Sequence, residues 1–207
     1  MQKDVLVELF NIHVGASASL LSTMVSRKII LSIPEIELIS GSDINLFTFE
    51  QMGIFDSGEA VLSNIKFDGE FKGAAFILFP TQKVKRLVSA CLGEEITEDD
   101  LGDENLSTDE IDVIKEICNV TLNSIVGEFG NLINIKIDFM TPEVEFSLVS
   151  SITPESIKGE NNYILILSTS FFIEDISIKG VILISLNDTS VKMIINKIDE
   201  LLGGQNE

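Results

Sequence analysis

Residues 3 to about 27 contain no proline and place apolar side chains at helical spacing, so the chain is expected to open on a long helix. From Pro34 to Ile39 the pattern changes to alternating apolar and charged positions, the period of a strand. Gly58 to Asp68 and Phe71 to Phe79 predict a strand pair turning at Asp68-Gly69, where glycine supplies backbone freedom, and Pro80 ends it. Thr81 to Leu92 predicts a short amphipathic helix with Gly93 as its C-terminal cap.

The same order follows again. Ser107 and Glu110 stand at the spacing of a capping box, in which the hydroxyl accepts from a free N–H and the carboxylate reaches back, so a second long helix begins there. Strands are expected over Pro142 to Val149, Tyr163 to Phe172 and Ile176 to Leu186. A last helix over Asp188 to Leu202 is stopped by Gly203-Gly204.

The two halves also share residues. Asp4, Glu8, Asn11 and Pro34 recur 108 positions later as Asp112, Glu116, Asn119 and Pro142, each set reading Asp-x3-Glu-x2-Asn-x22-Pro. Pro34-Glu35-Ile36-Glu37 answers Pro142-Glu143-Val144-Glu145, while Lys72-Gly73 and Val84-Lys85 match Lys179-Gly180 and Val191-Lys192 at an offset of 107. This predicts a duplicated α+β chain: two pseudo-symmetric α-β-β-β-α halves forming one domain around a central sheet, with two long site-bearing helices on one surface. The first repeat spans 1–100 and the second 105–207. Between them the acidic junction 94–104 places seven carboxylates in eleven residues, either a solvated linker or a docking surface.

Composition narrows the partners. With 207 residues and 45% apolar content the chain has material for a sizeable core, and a net charge of -19 argues against nucleic acid and anionic membrane, both of which attract clustered Lys and Arg. Apolar runs such as Val181 to Ile184 are far shorter than a bilayer span, and Met1 to Asp4 lacks the basic start of a secretory signal, so a cytoplasmic protein is expected. Cys91 and Cys118 have no CxxC spacing and are read as reduced, buried structural thiols.

On a helix, steps of four and three residues keep Asp4, Glu8 and Asn11 within about 60° of one another, a narrow polar stripe among apolar neighbours. Asp112, Glu116 and Asn119 make the same stripe in the second half. One such stripe is ordinarily the solvent face of an amphipathic helix. Two copies with identical residue types at identical steps point instead to a site held twice. An exposed Glu is a weak general base at neutral pH. A side-chain amide donates and accepts hydrogen bonds in fixed directions, which suits it to holding a water for in-line attack. One Glu and one Asn per helix, with no nearby His or Cys, make a thin metal shell, so no metal is assigned. A sugar hydrolase, which needs two carboxyls facing each other across a cleft, is remote from this arrangement.

These residues resemble the CheC-type phosphatases of chemotaxis, whose motif is Asp or Ser, x3, Glu, x2, Asn, x22, Pro, and both copies here satisfy it. The likeness extends to Gly15-Ala16-Ser17-Ala18, Arg27-Lys28, Phe76-Ile77-Leu78 and Glu98-Asp99-Asp100-Leu101-Gly102. It implies hydrolysis of the aspartyl phosphate on a CheY-like response regulator. Glu8 and Glu116 would anchor the regulator through its active-site lysine, and Asn11 and Asn119 would orient the attacking water. Asp4 and Asp112 would support the site near the helix starts, and Pro34 and Pro142 would fix where the next strand begins. The resemblance implies no cofactor of the chain's own, since Mg2+ belongs to the regulator.

Two positions depart from the family pattern. His13 stands where a glycine is usual and is read as facing the core, and Asn123 occupies the position matching Gly15, so the two sites are expected to differ. The flagellar-switch relatives carry a docking peptide before the first helix and a further domain after the repeat. Here the chain starts at the helix and closes after Gly203-Gly204, which points to the free-standing CheC type, and fusion of both halves points to a monomer, unlike the CheX type. The competing reading is a non-catalytic adaptor that binds the receptor deamidase CheD, through the acidic segment 94–104, or the flagellar switch.

Overall fold

The capping box forms as its spacing predicts. Ser107 Oγ accepts from the Glu110 N–H at 3.2 Å and the Ser107 N–H donates to Glu110 Oε2 at 2.7 Å, so helix Thr108–Ile133 starts with two of its free donors satisfied. Ser107→Ala is expected to cost about 1 kcal/mol of stability, read as a shift of the urea midpoint at unchanged slope. The helix ends at Asn134, whose left-handed φ of 58° lets the Ile135 N–H close onto Gly130 O at 2.8 Å.

The computed structural model describes residues 2–32, 35–40, 59–94, 106–153, 157, 159, 162–173 and 176–203. The α-helices among the described residues are α1 (Gln2–Val25), α2 (Thr81–Leu92), α3 (Thr108–Ile133) and α4 (Asp188–Gly203). The strands are β1 (Ile29–Leu31), β2 (Glu35–Ser40), β3 (Glu59–Asp68), β4 (Gly73–Pro80), β5 (Asp138–Phe139), β6 (Glu143–Leu148), β7 (Tyr163–Ile173) and β8 (Ile176–Leu186). Gly93, at φ 77°, caps α2 as expected. Helix α1 stops two residues earlier than its periodicity predicts, because Ser26 turns left-handed at φ 52°. There Ser22 Oγ donates to Ala18 O at 2.6 Å and accepts from the Ile29 N–H at 2.8 Å, tying the helix end to β1.

Sequence periodicity misses β1 and β5, which are too short to show a repeat. It also runs the second strand of the first pair back to Phe71, whereas β4 begins at Gly73. Phe71 instead leaves the strand path and plugs the gap between sheet and α3, its ring stacked on Phe67 at 5.5 Å and on Phe129 at 5.8 Å. Gly203 is the last residue of α4 rather than its stop. Pro34, Gly58, Gly204, the junction beyond Glu94 and the side chains of Asp4 and His13 lie outside the described residues.

All eight strands join one antiparallel sheet in the order β1/β2, β7, β8, β4, β3, β5/β6. Exchanging first-half strands for their second-half counterparts returns this order read from the other edge. At its centre Phe76 of β4 faces Leu183 of β8, its own counterpart 107 positions on. Each half therefore completes its sheet with a strand from the other: β2 lies on β7, and β6 on β3.

Strand alternation sorts the core into two layers. Val61, Ile65, Phe67, Ile77, Phe79, Leu165, Leu167, Ile182 and Ile184 pack with helix residues such as Leu21, Leu87, Ile117 and Leu122. On the opposite face Leu62, Phe76, Leu78, Ile166 and Leu183 meet Val149, Ile152 and Ile157. Both long helices share the first layer and pack against each other, with α4 against both and α2 against α3. Among the described residues no helix is long and apolar enough to cross a membrane.

Cys118 is fully buried on α3, and burial pushes its thiol up to about 12 against a hydrogen bond with Ser63 that works the other way. Cys91 is half-buried and raised to about 11, again by burial, with the Arg27 charge opposing. Above pH 9.0, the ordinary thiol value, the unfolded chain loses these protons while the folded chain keeps them. Stability from this source is thus full below about pH 9 and falls as pH rises toward the folded values. Urea midpoints at pH 8 and pH 10 are expected to show that fall, and Cys118→Ala to shrink it.

Candidate functional site

Helix α3 buries Ile114, Ile117, Cys118, Thr121, Leu122, Ile125 and Val126, a face that recurs every three or four residues. Asp112, Glu116, Asn119 and Asn123 fall on the far side, because each step of four or seven residues returns to one direction. Glu116 is exposed and Asn119 is half-buried. On α1 the corresponding Glu8 is exposed and Asn11 half-buried, with Val14, Ala18 and Leu21 facing the core. The carboxylates therefore sit at the crest of each stripe and the amides at its margin, beside the buried face. A 60° arc marks the stripe but not which of its members lies nearer the core.

This margin gives the amides unequal surroundings. Asn119 Oδ1 accepts from Asn123 Nδ2 at 2.7 Å, one turn further along the helix. Asn11 Oδ1 is covered and has no hydrogen-bond partner. Gly15 occupies the position matching Asn123, is exposed, and offers no side chain to Asn11.

The supporting residues are placed as follows. Asp112 is the fifth residue of α3, past the first turn where Asp109 and Glu110 stand, so the helix start is not what holds it. It pairs instead with Lys115 at 3.0 Å, with both side chains largely in water, an arrangement worth little in stability. Asp4 is on the first turn of α1. Pro142 is half-buried and immediately precedes β6, and β2 begins at Glu35, one residue after the position of Pro34. Among the described residues no three His, Cys, Asp or Glu side chains come close enough to hold a metal ion.

Each helix can thus offer a partner protein one free carboxylate and, one turn along, one amide recessed against apolar neighbours. A recessed amide is held more narrowly than one on the crest, because the surrounding side chains limit its torsions. The hydrogen bond from Asn123 to Asn119 is what sequence reasoning missed; its only signal was that Asn123 departs from the small residue in the first half.

No family model matches the chain. Among curated proteins, the CheY-P phosphatase CheC of Bacillus subtilis (strain 168) is 22% identical over 177 residues, covering 83% of this chain and 80% of CheC. Among solved structures, FliY of Thermotoga maritima superposes with a TM-score of 0.73 at 18% identity, over 96% of each chain. FliM of H. pylori, solved in complex with SpeE, gives 0.63 at 9% identity, over 96% of this chain and 95% of that one. Likeness at these identities shows a shared fold, and the match to CheC covers most of the chain. The chain is a homologue of CheC, and its fold is that of the CheC, CheX and FliY family.

Proposed function

We propose that the chain is a chemotaxis phosphatase that removes the aspartyl phosphate from a CheY-like response regulator. The observation that carries this reading is the Glu-x2-Asn pair standing at the surface of both long helices in a homologue of CheC. Glu8 and Glu116 each pair with the lysine of the regulator's active site and fix the helix across it. Asn11 and Asn119 each hold one water, whose O–H donates to the amide oxygen while its lone pair faces phosphorus. The P–O bond to water forms as the bond to the aspartyl oxygen breaks. The carboxylate leaves with the bonding pair, and the water's proton passes to phosphate. Mg2+ held by the regulator would neutralise the transferring group, leaving this chain to supply positioning rather than covalent chemistry. Fixing a reactant in attack geometry is worth several kcal/mol of a barrier.

A second reading, binding without turnover, is favoured by the covered carbonyl of Asn11 and by the likeness in fold to FliM. In it the chain binds CheD, through the acidic segment 94–104, or the flagellar switch. Mixing the chain with a phosphorylated CheY-type regulator separates the two. Loss of the acyl phosphate faster than the regulator's own decay supports the phosphatase, whereas unchanged decay together with complex formation with CheD or a flagellar-switch protein supports the adaptor.

A further inference from the structure

The two polar stripes match in sequence but differ in what surrounds the amide. In the second, Asn123 Nδ2 donates to Asn119 Oδ1 at 2.7 Å, and Asn123 is itself half-buried with its own Oδ1 covered by protein. Such a side chain does not swing freely, so the atom it holds does not either. An amide oxygen has two lone pairs, and with one taken by Asn123 the other stays available for a water hydrogen. The bond also polarises the amide it meets, which strengthens its remaining hydrogen bonds.

In the first stripe the matching position is Gly15, where an added Cβ would meet nothing within 4 Å. Asn11 has no such brace, and its Oδ1 is covered and unpartnered. Presenting that oxygen to a water requires the side chain to rotate outward first, which adds to the barrier of every turnover.

We propose that Asn123 is a positioning residue for Asn119, and that through it the second site turns over faster than the first. This rests on the phosphatase reading and deepens it. A side-chain hydrogen bond of this kind contributes about 1 kcal/mol, or roughly fivefold in rate.

The test reads each site alone. Asn11→Ala leaves the second site and Asn119→Ala leaves the first, and the decay of a phosphorylated CheY-type regulator is followed at several concentrations. Asn119→Ala is expected to lose more activity than Asn11→Ala. Adding Asn123→Ala to Asn11→Ala should lower kcat about fivefold with KM unchanged, and adding Gly15→Asn to Asn119→Ala should raise kcat while Gly15→Ala does not. A merely structural role for Asn123 would shift melting temperature without producing that gain at position 15, and the gain also keeps the test decisive if Asn123→Ala folds poorly. Equal loss from the two single Asn variants, or Gly15→Asn behaving as Gly15→Ala, overturns the proposal while leaving the phosphatase reading intact. Failure of the wild-type chain to accelerate decay overturns both.

Discussion

Replacing Asn11 and Asn119 together by Ala is expected to return the decay of a phosphorylated CheY-type regulator to its intrinsic rate, a loss of about 10²-fold or more from the accelerated value. Each amide is asked only to hold a water in line with the breaking bond, and alanine leaves nothing in that position. Both side chains are half-buried at the surface of packed helices, so truncating them removes little core and the fold should persist. On the proposed reading affinity for the regulator should change little, because the exposed Glu8 and Glu116 would make the ionic contact. Replacing those two by Ala is expected to give the opposite split. A charge-assisted hydrogen bond is worth about 1.5–3 kcal/mol, so KM rises by roughly 10- to 150-fold while the amides still act on whatever regulator is bound. Steady-state curves for the two double variants check both halves of the prediction.

The largest stability effect is expected from Gly73→Ala, at about 3 kcal/mol. A Cβ at Gly73 would run into Ser185 O, a backbone atom of β8, and would come within 2.7 Å of the Phe67 ring. Gly73 pairs with both Phe67 and Leu186, and Phe67 is itself locked between the rings of Phe71 and Phe139, so neither neighbour can give. The counterpart Gly180 sits under Phe79, where a Cβ would meet the ring at 2.6 Å, and that ring is held edge-on to Phe171 at 4.9 Å. Gly180→Ala should therefore destabilise by a similar amount. Exposed Gly15→Ala, with open space around it, is expected to stabilise slightly by removing backbone freedom from the unfolded chain. Urea midpoints for the three variants give the ranking.

These glycines mark the boundary of what the sequence made legible. The repeat singled out Lys72-Gly73 and Lys179-Gly180 as matching pairs, but the reason, a phenyl ring from a neighbouring strand lying where a side chain would go, depends on strand register, within one hairpin for Gly73 and between strands far apart in the chain for Gly180. The polar stripes were legible in full as residue types and spacing, since helical geometry follows from local steps. Half-burial of the amides was not, because it depends on how α1 and α3 lean on each other. Asn123 was visible only as a break in a pattern, and its hydrogen bond to Asn119 turns that break into a difference between the sites. Capping at Ser107 and Gly93 was predicted correctly because caps are local chemistry. The strand order was not predictable, since it brings β2 to β7 and β6 to β3 through pairings between halves. Unbroken apolar runs such as Phe76 to Phe79 and Val181 to Ile184 did hint at a sheet covered on both faces, and Val149, Ile152 and Ile157 lie on the second of them.

The central claim is that two side-chain amides reach the phosphoryl site of another protein. It is tested most directly by following the side-chain NH2 resonances of Asn11 and Asn119 in ¹⁵N-labelled protein as a CheY-type regulator is added, first unmodified and then carrying beryllofluoride as a stable mimic of its phosphate. The account predicts that both amide pairs shift with the beryllofluoride form and much less with the unmodified one. Amide resonances of Asn11 and Asn119 that stay in place while the complex forms would contradict it.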